Sequence, residues 1–372
     1  MAQTHDARLP GIEALRAYAA TAIVIFHLIW VGGVAAPPGF QVVPNFFGQG
    51  VPLFFAVSAF SLAYGYSARL STWRDVRRFY VRRFFRIAPL FYAMLLFGLA
   101  SDHMLLWWAL HGVRLPLNLL FLFNLSPIDV DGLVLASWTI GVEMLFYALL
   151  PALLPLVRHV WSAAAFVLGS ILVAVSYAAL LGHAAPPSFI DHGLLFNLPF
   201  FAFGLLFARL YDRAPAWMGA PATIAALAGL VALWWIAGAR PAWIATGTPG
   251  HTVYEALWGL PFGALCLGVA LKPTGLISNP VTLTLGRISF SLYLAHPHIV
   301  SALKHAGFYS MVQASAGGPW LHFAEAFAGT YAIVVVVALA LYRFIESPGI
   351  ALGGRVLRRM GATPAPALAP AE

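Results

Sequence analysis

The chain has 372 residues, 61% of them hydrophobic and only 9% charged, with 12 Trp and 28 Phe. That balance excludes a soluble domain of this size and fits a polytopic membrane protein. The net charge of +8 would point to a nucleic-acid partner in a soluble protein, but here its distribution follows the membrane, and no nucleic-acid binding is expected.

Apolar stretches of about twenty residues recur, each long enough at ~1.5 Å per residue to cross a ~30 Å hydrocarbon layer. Backbone groups in lipid need internal partners and no period-two alternation is visible, so the spans read as helices and the fold class as all-α. Ten transmembrane helices are expected, at 12–31, 46–66, 85–101, 137–157, 160–181, 190–210, 220–239, 252–271, 281–302 and 325–345. "GGVAA" (32–36) after the first of them offers a signal-peptide reading, which Arg16 and His27 inside the apolar run count against. "LPLNLLFLFN" (115–124) is too short to span and reads as an interfacial or re-entrant helix. The membrane domain is placed at 1–350, and 351–372, ending in "ATPAPALAPAE", reads as a disordered cytoplasmic tail.

Basic residues concentrate in cytoplasmic loops. With the N-terminus inside, seventeen Lys and Arg fall on the cytoplasmic side, among them Arg8, Arg69, Arg74, Arg77, Arg78, Arg82, Arg83 and Arg86, against Arg114, Arg240 and Lys304 outside. Both termini are therefore expected in the cytoplasm. Cys266 is the single cysteine and lies in an apolar run, a packing position rather than a redox or nucleophilic one.

Charged groups in hydrocarbon are costly unless partnered, so each one is a candidate functional residue. Arg16 and His27 are eleven residues apart, which at ~100° per residue is within roughly 20° of three full turns and places both on one helical face. Glu143, in "SWTIGVEMLFYALLP" (137–151), falls at about the depth of His27. A carboxylate bonded to one imidazole nitrogen raises the basicity of the other, so His27 with Glu143 reads either as a general base or as a hydrogen-bonded tie within the bundle. Arg83 and Arg86 share a face at the cytoplasmic start of the third span; guanidinium forks there suit a phosphorylated ligand and equally an anchor on anionic headgroups. "GRISFSLYLAHPHIV" (286–300) puts Ser289, Ser291, Tyr293 and His296 in one span, as interhelical ties or as a site.

Six segments taken in order resemble the acyltransferase-3 family of integral membrane acyltransferases, which includes O-antigen and exopolysaccharide O-acetylases. They are "GIEALRAYAATAIVIFHL" (11–28), "GVPLFFAVSAF" (50–60), "RFFRIAP" (83–89), "SWTIGVEMLFY" (137–147), "GRISFSLYLAH" (286–296) and "FIESP" (344–348). The resemblance implies an O-acyltransferase of a bacterial inner membrane. It would carry an acyl group, acetyl above all, from cytoplasmic acetyl-CoA to a glycan or glycolipid hydroxyl at the outer face. It further implies His27 as catalytic base, Arg16 as its signature partner, Glu143 as a polar site residue, and Arg83 and Arg86 as contacts to the CoA phosphates. Ser58, Trp138, Tyr147 and His296 are the candidate substrate-binding side chains, and no metal is expected. The second motif departs from the usual Ser-Gly-Phe, reading Ser58-Ala59-Phe60. The alternative reading is a transporter or exporter using a His/Glu/Arg proton relay.

Overall fold

A computed structural model describes residues 9–67, 69–182, 184–239, 242–245 and 247–361; Arg8, Arg240 and the 362–372 part of the expected tail lie outside them. Among the described residues all regular structure is helical. The helices are α1 (Pro10–Trp30), α2 (Val42–Phe46), α3 (Gly50–Tyr66), α4 (Trp73–Ser101), α5 (His103–Leu110), α6 (Arg114–Leu119), α7 (Trp138–Leu156), α8 (Val160–Leu181) and α9 (Pro187–Asp191). They continue as α10 (Leu194–Tyr211), α11 (Gly219–Ala239), α12 (Pro249–Leu257), α13 (Gly259–Leu271), α14 (Pro280–Arg287), α15 (Ser289–His305), α16 (Phe308–Ala314), α17 (Pro319–Leu341) and α18 (Ser347–Arg359). One π turn, Tyr342–Glu346, joins the last two.

Nine helical segments among the described residues are long and apolar enough to cross a membrane, so the chain is an all-α, multi-pass membrane bundle. The segment expected at 281–302 is the one that differs. It is two helices, α14 of 8 residues and α15 of 17, broken at Ile288. Asn279 caps α14 by accepting from the Val281 and Thr282 amides, with Pro280 in the first helical position, so a short separate helix is stable there.

Two other boundaries move. The third span begins at Trp73 rather than 85, because Thr72 and Asp75 form a capping box that starts one 29-residue helix ahead of the arginines. The arginines from Arg74 to Arg86 are thus helical, while Arg69 precedes the helix. The tail expected to be unstructured from 351 is helical to Arg359 instead. Gly349 and Gly353 let α18 lie directly on Pro89 and Phe85 of α4, while Arg74 and Arg78 donate to the exposed carbonyls at its end, at 2.9 and 2.8 Å to Gly361 O. Cations at a helix C-terminus complement its dipole as well as its unpaired carbonyls.

At the centre, α10 packs on α3, α8 and α13. Small residues permit this in a lipid setting where apolar side chains gain little by leaving the solvent. A Cβ on Gly204 of α10 would lie 2.4 Å from Ala56 O and 2.9 Å from the Ala59 methyl. The extra methyl in the Ser-Ala-Phe motif therefore packs against a glycine on α10, and Ser58 keeps its own direction.

The stretch between α6 and α7 is tied by two buried amides. Asn118 donates to Asp129 Oδ2 at 2.9 Å and accepts from the Leu133 amide at 2.8 Å; Asn124 donates to Val130 O and His192 O. The segment expected at 115–124 is accordingly a short helix followed by a turn. Burial pushes the Asp129 carboxyl up to about 6, against the opposing pull of Arg114 and the Asn118 bond. An acid with a raised folded-state pKa holds its proton more tightly folded than unfolded, so stability is lost as pH rises from about 3.8 to about 6 and stays lost above that. Asp129→Asn removes the titration. Thermal unfolding in detergent should show the variant equal to the parent near pH 4 and more stable by a few degrees, roughly, at pH 8; a difference independent of pH would count against a buried carboxyl here.

Candidate active site

The polar side chains of the bundle gather along one face of α3. Phe54, Ser58 and Ser61 recur at helical spacing, and each meets a different polar group. Ser61 meets Arg16, Ser58 meets Glu143 and Tyr147, and Phe54 meets the edge of the Tyr293 ring.

The histidine pair joins α1 to α15. His27 Nδ1 lies 2.9 Å from His296 Nε2 and 3.1 Å from Ile23 O, with the two rings 4.9 Å apart. A carbonyl can only accept, so the proton belongs on His27 Nδ1, shared between Ile23 O and His296 Nε2. His27 Nε2 then carries the free lone pair, and it has no hydrogen-bond partner among the described residues. Behind the pair, the Tyr293 ring is 5.5 Å from that of His296; its hydroxyl donates to Ala136 O at 3.0 Å and accepts from Thr139 at 3.1 Å. Ala136 holds a φ of 59°, a left-handed conformation a Cβ disfavours, directly before α7. Its carbonyl is thereby available to Tyr293.

Glu143 is not the partner of His27, contrary to expectation. Its Oε1 accepts from Ser58 Oγ at 2.6 Å and from the Tyr147 hydroxyl, and Ser58 and Tyr147 are themselves 3.2 Å apart. Each has its own partners: Glu143 is held by Ser58 of α3 and Tyr147 of α7, whereas the imidazole that meets His27 comes from α15. Glu143 faces the arginine end instead: Arg83 is within electrostatic reach of it, with the guanidinium 5.8 Å from the ring centres of both Tyr66 and Tyr147. Arg83 Nε is buried without a hydrogen-bond partner among the described residues.

Arg16 bonds Glu13 at 3.2 Å and Ser61 Oγ at 3.1 Å, tying α1 to α3 one turn from Ser58. Arg86 is also engaged. It forms an ion pair with Glu346, whose side chain is 0% exposed and whose other oxygen accepts from Ser291 at 2.5 Å. Its expected role as an open phosphate contact is therefore modified: a buried carboxylate already holds one side of the guanidinium. The π turn at Tyr342–Glu346 carries this carboxylate, in keeping with the frequent placement of such turns at functional sites. Glu346 escaped sequence reasoning although "FIESP" contains it; a lone acid closing an apolar run was the available signal.

Of the other candidates, Ser58 and Tyr147 belong to the Glu143 group and His296 to the histidine pair. Trp138 does not join them. It stacks on His192, with ring centres 4.1 Å apart, and His192 pairs with Asp131 at 2.5 Å near the start of α7. No group of three His, Cys, Asp or Glu among the described residues is placed to hold a metal. Cys266 is fully buried.

The fold and these polar contacts define a multi-pass membrane bundle with an imidazole pair at the last turn of α1 and arginines toward the other end. A family model described as an acyltransferase domain matches residues 9–339, and the chain belongs to that family, the acyltransferase-3 family that its six motifs resemble. It is a membrane acyltransferase at that level. No curated protein and no solved structure matches it significantly.

The Arg86–Glu346 pair makes an asymmetric prediction. Arg86→Met strands a fully buried carboxylate and should cost about 3–5 kcal/mol, whereas Glu346→Gln leaves a partly exposed guanidinium that can reach solvent and should cost about 1–3 kcal/mol. The double variant should recover part of the first loss in denaturant unfolding. Additive losses would mean that the two groups do not interact.

Proposed function

We propose that the chain is an O-acyltransferase of a bacterial inner membrane, moving an acyl group, acetyl above all, from cytoplasmic acyl-CoA to a carbohydrate or glycoconjugate hydroxyl at the outer face. The observation that carries this reading is the His27–His296 pair, which leaves His27 Nε2 as an unprotonated base inside a chain of the acyltransferase family. The seventeen-to-three division of Lys and Arg supports the orientation, with the basic end of the bundle and both termini in the cytoplasm.

The donor would be held at that basic end. Arg83 offers a buried, unpartnered Nε–H, Arg82 and Arg83 lie beside the Tyr66 hydroxyl, and Arg86 adds its remaining N–H groups. These are hydrogen-bond donors suited to phosphate oxygens. The serine face of α3 leads from there toward His27.

His27 Nε2 takes the proton from the acceptor hydroxyl as its oxygen attacks the thioester carbonyl; the carbon–sulfur bond breaks, and the proton passes to the departing thiolate to give free CoA. His296 accepts from His27 Nδ1 and supports the imidazolium while that proton is held. Glu143 orients Ser58 and Tyr147 rather than acting on the histidine. A His/Glu/Arg proton relay for transport would need Glu143 in series with His27, and Glu143 is bonded to Ser58 and Tyr147 instead.

The test is acetyl-CoA turnover in membranes supplied with a glycan acceptor. His27→Ala should lose about 10²–10⁴-fold in kcat, the range of a general base, and His296→Ala a smaller share of it. Full turnover by a His27→Ala protein with the parental unfolding midpoint would remove the proposal.

A further inference from the structure

A second feature of α1 is unused by this chemistry. Between α1, α3, α11 and α13 lies a cavity of about 330 Å³, a volume in the range of small-molecule sites. Its walls are apolar, formed by Ala19 and Ala22 of α1, Leu53 of α3, Val231 and Trp234 of α11, and Phe262 of α13. The short side chains of Ala19 and Ala22 leave room on this face of α1, and α11 packs on α13. Val231 and Trp234 are 59% and 46% exposed, so the groove opens sideways on a face that the bilayer covers. Only a hydrocarbon chain suits such walls in that setting.

One corner of the groove is polar. Gln49 donates its amide N–H to Glu255 at 2.8 Å, and that bond fixes the orientation of the side chain. Its carbonyl Oε1 is buried with no hydrogen-bond partner among the described residues, although Gln49 lines the groove. A buried acceptor left unpaired is costly, and an O–H from a ligand in the groove would satisfy it. The Glu255 carboxyl behind Gln49 disfavours a phosphate at that point and tolerates a neutral hydroxyl. The corner is linked to His27 through one aromatic ring. Gly48 lies against the Phe26 ring, and Phe26 meets the edge of His27 with ring centres 5.3 Å apart.

We propose that this groove binds the hydrocarbon chain of a lipid-borne acceptor, whose uncharged, hydroxyl-bearing head is held by Gln49 on the Phe26 side of His27. This rests on the acyltransferase reading for the word acceptor, but binding of the amphiphile does not require turnover. The acceptor would then reach the site laterally, from the bilayer, while the donor comes from the basic end.

The experiment uses the full chain in nanodiscs and dodecyl glucoside carrying a diazirine in its alkyl chain. Photolysis and peptide mapping should place adducts on α1, α11 and α13 around the groove, competed by unlabelled dodecyl glucoside. Ala22→Trp, which fills the groove, should reduce that labelling by about tenfold or more. Gln49→Leu should reduce it by about fivefold, the worth of one hydrogen bond, without changing the labelling by a diazirine alkane that has no sugar. Labelling spread evenly over lipid-facing helices such as α8 and α17, or unchanged in Ala22→Trp with a parental unfolding midpoint, overturns the proposal. Because the readout is covalent capture and not acyl transfer, its failure is separate from a failure of the His27 chemistry. Capture at the groove beside full turnover by His27→Ala would leave a lipid site in a protein whose catalytic base lies elsewhere.

Discussion

Two arginines three residues apart on α4 each answer a carboxylate on a different part of the bundle, and the arrangement of the site depends on this. Arg86 holds Glu346, bonded in turn to Ser291 of α15. Arg83 lies over Tyr66 and Tyr147 within reach of Glu143, bonded in turn to Ser58 of α3. A polar side chain in hydrocarbon is costly unless it is partnered, and both carboxylates are. One helix therefore fixes α3 and α7 on one side against α15 and the π turn on the other. The imidazole pair lies across that joint, since His296 is on α15 and its partner is on α1, which Arg16 ties to α3.

The same constraint gives the interior a direction. Along this face of α3 the partners change from the Arg16 guanidinium, to the Glu143 carboxyl and Tyr147 phenol, to the Tyr293 ring that lies beside His296. The guanidinium groups of Arg16, Arg83 and Arg86 thus gather toward one end of the bundle and the imidazoles toward the other. Under the proposed function the phosphates would remain at the arginines and only the thioester end would travel inward.

Features set by local geometry were legible in the sequence. Arg16 and His27 fall on one face because helix periodicity is local, and the spans are set by hydropathy. Which helices are neighbours was not legible. Glu143 and His27 fall at similar depth along the chain, yet Glu143 turns to Ser58 and Tyr147 and His27 to His296, so depth alone chose the wrong partner while His296 was already among the candidates. Glu346 was hidden because its importance comes from Arg86, 260 positions away. The helix α18 escaped because its residues are unremarkable in hydropathy; glycines matched to Pro89 and Phe85, and arginines on α4 capping its carbonyls, make it ordered.

α1 is where the separate requirements meet. One face carries Arg16 and His27 toward α3 and α15, and the neighbouring face carries Ala19 and Ala22 toward the groove. A shift of α1 by one residue would rotate it by about 100° and move it about 1.5 Å, enough to misplace the base and close the groove together. Its backbone is correspondingly held by direct contact rather than by side chains that can adjust. A Cβ on Gly11 would lie 2.2 Å from Val269 O, and one on Gly286 would lie 2.0 Å from Glu13 O. On the third side, a Cβ at Gly50 would stand 2.7 Å from Ala19 O. Three helices thus reach the α1 backbone through positions with no side chain, and these contacts, more than any polar bond, set the register on which base and groove both rely.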